Sequence, residues 1–371
     1  MPQDPISEIE SEAASFIVRN YYDGHRKRIR SDRYAASMSL LALLRLAKDG
    51  VFEDSIIDEV ANWLWKELER SVSHWSGSVG DLSCLLLVLM EWHHLRGSPK
   101  DTSVVKTALE LLRDFVWSAS ERSFQRLEPT ALAVMAMSRA CQIGFASEKD
   151  LGRALERAES IIRKEQTFDG GWGFVSYRSN PASTGLALLA LTALGKKKED
   201  IPVRTGVKWL VAHQREDGSW DATIEAFLGA QSQEISIPWL STAYAIRALV
   251  HSGVPGVESH VISGARYLVS TQTRGGWSFL SGRPGGVTLR NTAEALLALA
   301  DLAPAGFTTE RIVRHSLERR YGRYRMIAQT SAAVFGSVVA MLGSLGAFLP
   351  LVISISALAG SVAAFFLLRP R

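Results

Sequence analysis

Cysteine is almost missing: among 371 residues only Cys84 and Cys141 occur, each inside an apolar, helix-like run. That scarcity excludes a disulfide framework and a cysteine-built zinc centre, and it suits a reducing compartment. A secretory leader is wanting too, because the opening MPQDPISEIESEAAS is acidic and has neither a basic start nor an apolar stretch. The bulk of the chain is therefore expected in the cytosol. Nor is positive charge spread along the molecule. From residue 311 onward there are eight Arg against one Glu, so the +4 net charge splits into +7 for that tail and −3 for residues 1–310. A nucleic-acid partner, which needs a basic face on the folded part, is thereby excluded.

What is abundant is apolar side chain, 47% of the total, enough for a packed core in one large domain or two ordinary ones. The longest charge-free run, Ile327 to Leu368, follows the basic segment RIVRHSLERRYGRYRM and ends in RPR. As one helix it would span about 60 Å, roughly twice the hydrocarbon core of a bilayer. Gly343, Gly346 and Pro350 mark a bend, and small residues at four-residue spacing (Gly336, Ala340, Ser344; Ser356, Gly360, Ala364) suit two closely packed arms. Arginine at both ends puts both on the cytoplasmic side. The expectation is a transmembrane helical hairpin at 327–368 behind a basic juxtamembrane segment at 306–326. It predicts a multi-pass membrane protein in contact with lipid, its folded part at 1–305 facing the cytoplasm.

Within 1–305 one pattern recurs. RAESIIRKEQTFDGGW (157–172), TGVKWLVAHQREDGSW (205–220) and GARYLVSTQTRGGW (264–277) each place a bulky pair, three residues, Gln, then Gly and Trp. A weaker copy, ANWLWKELERSVSHW (61–75), keeps Trp63, Leu64 and Trp75. The Gln spacing exceeds one helix and fits a helical hairpin with its loop. The segment before each Gln is amphipathic, whereas an Ala/Leu-rich segment follows each Trp, such as ASTGLALLALTAL (182–194) and RNTAEALLALADL (290–302). Amphipathic helices belong on the outside and all-round apolar ones within. Six of each are counted, so the predicted fold is all-α, an (α/α)6 toroid. In it Gln214 sits at an outer helix end, Gly218 takes a left-handed conformation, and Trp220 folds back to staple that helix to the next inner one.

The stretches KWLVAHQREDGSW and QTFDGGWGF closely resemble the QW repeats of squalene and oxidosqualene cyclases and of prenyltransferase β subunits, over roughly residues 35–302. The resemblance implies the toroid, and it implies two chemistries that differ in the residues they need. Prenyltransferase zinc requires Asp, Cys and His, and VTLRNTAEALL lacks Cys and His at the matching place. No metal or other cofactor is expected; a cluster of Asp81, Cys84 and His93 or His94 is better read as packing. Class II cyclases use a DxDDTA motif to protonate an alkene. The matching RLEPTALAVMAM has Glu128 in the donor's place, with Arg126 and Pro129 where further acids would stand.

Alignment of the inner helix starts places Asp81, Glu128 and Arg290 at one level, with Asp32 equivalent in the first hairpin. Asp81 and Glu128 are the candidate catalytic acids, and helix capping is their structural alternative. Trp172, Phe174, Tyr177, Phe227, Trp239, Trp277 and Phe279 are the candidate lining of an apolar ligand pocket, and the loop Asp221–Pro238 is expected to hold a short covering helix. Two functions follow: a toroid that binds an isoprenoid-like ligand or a protein partner without intact catalytic motifs, or a class II terpenoid cyclase with Glu128 as proton donor.

Overall fold

The computed structural model describes residues 5–22, 33–48, 54–75, 78–97, 102–118, 127–173, 178–221, 223–228, 231–278 and 287–307. The chain divides into two compact units, Met1–Thr309 and Glu310–Arg371, and every described residue lies in the first. The described residues form twelve α-helices. The outer ones are α1 (Pro5–Tyr22), α3 (Asp54–Ser71), α5 (Ser103–Ser118), α7 (Glu148–Lys164), α9 (Ile201–Ala212) and α11 (Glu258–Thr271). The inner ones are α2 (Arg33–Lys48), α4 (Val79–Arg96), α6 (Leu127–Gln142), α8 (Pro181–Ala193), α10 (Pro238–Ser252) and α12 (Leu289–Ala300).

Burial follows the sequence pattern. On α7 only Leu151, Ala154, Ala158 and Ile162 are buried, one stripe at helical spacing, while on α8 every residue from Ser183 to Leu191 is buried. Each inner helix packs on the next, α2 on α4, α4 on α6, α6 on α8, α8 on α10 and α10 on α12, and α12 returns to α2. The inner helices therefore close into a ring, with α1 packed against both α12 and α2 at the seam.

The recurring motif supplies three separate fastenings. The indole N–H of Trp172, Trp220 and Trp277 donates to a carbonyl in the last turn of its outer helix, that of Ile162 (2.7 Å), Leu210 (2.7 Å) and Leu268 (3.0 Å). The backbone N–H of the same Trp donates to a threonine on the next inner helix, Thr184, Thr242 or Thr292. The Gln then reaches the following outer helix: Gln166 donates to Pro202 O, Gln214 to His260 O and Gln272 to Ile9 O at 3.2 Å. Gln thus ties outer helix to outer helix, and the last tie lands on α1. Gly206 and Gly264 permit the close approach, since a Cβ there would stand 2.6 Å from Trp172 Cζ3 and 2.8 Å from Trp220 Cζ3. The glycine two residues ahead of each Trp has positive φ (Gly170 91°, Gly218 91°, Gly275 79°) and turns the loop beyond the helix end.

Two expectations are corrected. The Asp221–Pro238 loop holds a β-hairpin, β1 (Thr223–Leu228) antiparallel to β2 (Gln231–Ser236), in place of the expected helix. Thr223, Ile224, Phe227 and Ile235 favour strand, and the Leu228–Gln231 pairing leaves only Gly229 and Ala230 to connect the strands. The multi-pass membrane location is also overturned: no helix among the described residues is long and apolar enough to cross a membrane. The longest have 18 residues, and one of these, α4, carries Asp81, Glu91 and Arg96 while burying its apolar residues inside the ring. Residues 327–368, on which that expectation rested, lie outside the described residues.

The motif loops also carry an acid whose role the sequence pattern concealed. The Asp169 carboxylate accepts from Thr167, from Ser179 Oγ (2.6 Å), from Gly171 N (3.1 Å) and from Trp209 Nε1 (3.0 Å). Burial alone would raise its pKa, but these donors outweigh it and lower the value from 3.8 to about 2. A carboxylate with a depressed folded-state pKa adds stability above its unfolded value, and loses it as pH falls through the folded one. Asp169→Asn is therefore expected to lower the unfolding midpoint near pH 6. The gap from wild type should narrow below about pH 4 and close near pH 2, as read by circular dichroism melts across that range.

Candidate functional site

Five of the six inner helices contribute to the axis at the same two depths, the sixth and ninth helical positions or one beyond: Met38 and Leu41, Cys84 and Leu87, Leu132 and Met135, Leu186 and Leu189, Tyr244 and Arg247. From α12 comes Glu294, at the sixth position. This register follows from the shared helix starts, and it makes a band about one and a half turns below the N-terminal mouth. The cavity enclosed there is small, ≈ 10 Å³, room for about one water.

A polar cluster sits in this apolar band. Glu294 is fully buried, and its Oε1 accepts from Tyr34 Oη at 2.6 Å and from Tyr244 Oη at 3.1 Å. The two phenols lie 3.0 Å apart. Burial first, and the nearby Glu294 charge second, raise both tyrosine pKa values well above the usual range. Glu294 Oε2 faces Arg247 Nη1 at 3.6 Å and accepts no hydrogen bond among the described residues. Arg247 spends its Nε on Asp301 Oδ2 at 2.9 Å, and His251 Nε2 reaches the same oxygen at 3.1 Å. Although burial opposes it, pairing with Arg247 and His251 holds the Asp301 carboxyl well below the ordinary carboxylate range.

The mouth is covered from above. Arg290 lays its guanidinium 4.1 Å over the Tyr34 ring and reaches Glu128 Oε1 with Nη2 at 3.4 Å. Burial works against the Arg290 charge, yet Tyr34, Tyr244, Glu128 and Glu294 together raise its pKa further. The sequence alignment of inner helix starts set Glu128 and Arg290 at one level, and the structure brings them into contact. It assigns Asp81 a capping role: Ser78 N donates to Asp81 Oδ2 at 3.2 Å while Asp81 N donates to Ser78 Oγ at 3.0 Å, a reciprocal capping box.

The expected aromatic lining divides into three groups. Trp172 and Trp277 are fully buried between outer and inner helices, occupied by the fastenings above, and do not line the axial cavity. Trp239 is buried in the first turn of α10, and its indole N–H has no partner among the described residues. Phe227 lies in β1, with its side chain outside the description, and Phe174, Tyr177, Phe279 and Asp32 lie outside the described residues. Among the described residues no group of three or more His, Cys, Asp or Glu could hold a metal ion.

The residues that sequence inspection passed over are Tyr34, Tyr244, Arg247, Glu294 and Asp301. Their signal was present: Arg290, Glu294 and the C-cap residue Asp301 stand at spacings of four and seven in and just beyond α12, whose stretch from Ala293 to Ala300 is otherwise Ala and Leu. Because removing one member of a buried ion cluster strands the others, Arg247→Met is expected to cost about 3–5 kcal/mol of stability. Denaturant unfolding would measure it, and the double change Arg247→Met with Asp301→Leu should recover part of the loss.

Residues 125–286 match the family model of the squalene-hopene cyclase C-terminal domain. A curated relative, drimenyl diphosphate synthase from Streptomyces showdoensis, is 29% identical over 135 residues, 36% of this chain and 25% of that protein. Its alignment thus spans about a quarter of the relative. Among solved structures, a type II terpene cyclase from Scytonema in complex with geranylgeranyl dihydroxybenzoate superposes with a TM-score of 0.53 at 14% identity, covering 81% of this chain and 98% of that one. A glycosyl hydrolase family 88 protein from Bacteroides vulgatus reaches 0.58, also at 14% identity, over 81% and 99% of the two chains. At such identities the likeness to either structure is one of fold alone. The chain is thus similar in sequence to the squalene-hopene cyclase C-terminal domain over residues 125–286 and shares the α/α toroid fold of the terpene cyclases.

Proposed function

We propose that the ring binds an apolar, isoprenoid-type ligand on its axis and does not cyclise it by proton transfer from Glu128. The observation that carries this is the contact at the mouth: Arg290 stands 3.4 Å from Glu128, with the Glu128 side chain 32% exposed. Protonation of an alkene calls for a neutral, strongly acidic carboxyl in a dry site, with further acids or neutral donors beside it. Glu128 has a guanidinium instead, and Asp81 is engaged in its helix cap. The small cavity agrees with this, since a chamber that folds a polyene needs several hundred Å³ and the cavity is ≈ 10 Å³.

Ligand binding draws support from the wall and from the relatives. Met38 and Met135 line the cavity together with leucines from four inner helices, and unbranched methionines shift rotamer at low cost to admit a chain. The Scytonema cyclase holds a geranylgeranyl compound in the same fold. A second reading, a class II cyclase with Glu128 as donor, takes support from the likeness to drimenyl diphosphate synthase.

Purified protein incubated with squalene, oxidosqualene and linear prenyl diphosphates separates the two, with products read by mass spectrometry beside Glu128→Gln. The expected result is retention of at least one isoprenoid by native mass spectrometry and no cyclic product from any. A cyclic product that disappears in Glu128→Gln would establish the cyclase instead.

A further inference from the structure

Glu294 Oε2 is the one carboxylate oxygen among the described residues that is buried, lines a cavity and accepts no hydrogen bond. A carboxylate in that position is costly to leave unmatched. The groups around it have little left to give. The Tyr34 and Tyr244 hydroxyl protons go to Glu294 Oε1 or to each other, and Arg247 Nε goes to Asp301, with its Nη1 held off at 3.6 Å. The rest of the cavity wall is methionine and leucine, Met38 and Met135 with leucines from four inner helices, apart from the Cys84 thiol.

A water in this space could bridge Glu294 Oε2 and Arg247 Nη1, the minimum of two partners for a buried water, with mostly apolar wall on its other sides. An oxygen that donates one hydrogen bond and carries carbon behind it suits the same space better, since its carbon meets the methionines and leucines. The charge of the cluster narrows the chemistry further. Three carboxylates (Glu128, Glu294, Asp301) face two guanidiniums (Arg247, Arg290), an excess of one negative charge, and Arg290 Nε is buried without a partner among the described residues. A diphosphate needs unspent cations or a metal ion to hold its charge, and here it would meet the bare oxygen of Glu294.

We infer that the axial pocket takes the hydroxyl head of a neutral isoprenoid-type alcohol, with Glu294 Oε2 as its acceptor and the methionine and leucine wall around its first carbons. Arg290 rests on Tyr34 and pairs with Glu128 near the helix N-termini, and entry from that end is expected to displace the Arg290–Glu128 contact. This rests on the reading of the ring as an isoprenoid binder and names the head group that it recognises.

Equilibrium binding of three fifteen-carbon probes to the purified full chain tests it: farnesol, the hydrocarbon farnesene and farnesyl diphosphate, followed by tryptophan fluorescence and native mass spectrometry. Farnesol is expected to bind at least about ten-fold more tightly than either of the others, the discrimination a hydrogen bond to a charged acceptor supplies. Glu294→Leu should bring farnesol to the level of farnesene. Should that variant fail to fold, Leu132→Trp, which fills the cavity from the opposite wall, should lower farnesol affinity about ten-fold or more while the fold is retained by circular dichroism. Equal binding of farnesol and farnesene to the wild type would overturn the head-group assignment and leave the isoprenoid reading standing. Tighter binding of the diphosphate would overturn the assignment as well, and no binding of any probe would overturn both.

Discussion

A ring of helix pairs holds its axis only if its last pair is fastened to its first. Here the fastening is a repeated side-chain device, and its decisive copy is the one that crosses the seam, where Gln272 donates to Ile9 O. The two earlier Gln residues make the same tie between consecutive outer helices, so α1 serves as the next outer helix after α11 although it begins the chain. With α1 in place, α12 and α2 meet, and Tyr34 from α2 reaches Glu294 from α12. The polar cluster on the axis exists only because that seam is shut.

The device divides its work among residues for identifiable reasons. Helix ends leave carbonyls without partners, and an indole N–H supplies a donor on a large apolar plate that covers the same turn. Threonine on the inner helix receives the Trp backbone N–H, which would otherwise be buried without an acceptor. Thr130 occupies the equivalent place on α6, where the sequence does not keep the Gln, Gly, Trp order, and its buried hydroxyl has no partner among the described residues. Ser83, at the same place on α4, instead turns its hydroxyl to Val79 O.

Much of this was legible beforehand. Six amphipathic and six all-apolar helices followed from periodicity, and the role of Trp220 at the helix end followed from the order Gln, Gly, Trp. The aligned starts of the inner helices put Glu128 and Arg290 at one level. Three things resisted. The destination of Gln on the next outer helix depends on tertiary distance that no local pattern encodes. The aromatics after each motif were read as lining because loops face mouths, whereas burying an indole against a glycine on the neighbouring helix was the stronger demand for Trp172. And the Glu294 cluster draws on three helices remote in sequence, so only the oddity of charge in an Ala/Leu run pointed to it. The apolar tail supported a membrane location by length and charge alone, a criterion that no helix of the described ring meets.

The central claim is that the ring is closed through α1. Hydrogen exchange of the intact chain, followed by mass spectrometry, addresses it most directly. Closure predicts that amides of α1 exchange as slowly as those of α11, and that Gln272→Ala speeds exchange in α1 while leaving α7 and α8 unchanged. Fast exchange of α1 in the wild type, or a Gln272→Ala variant with no effect on α1, would contradict it.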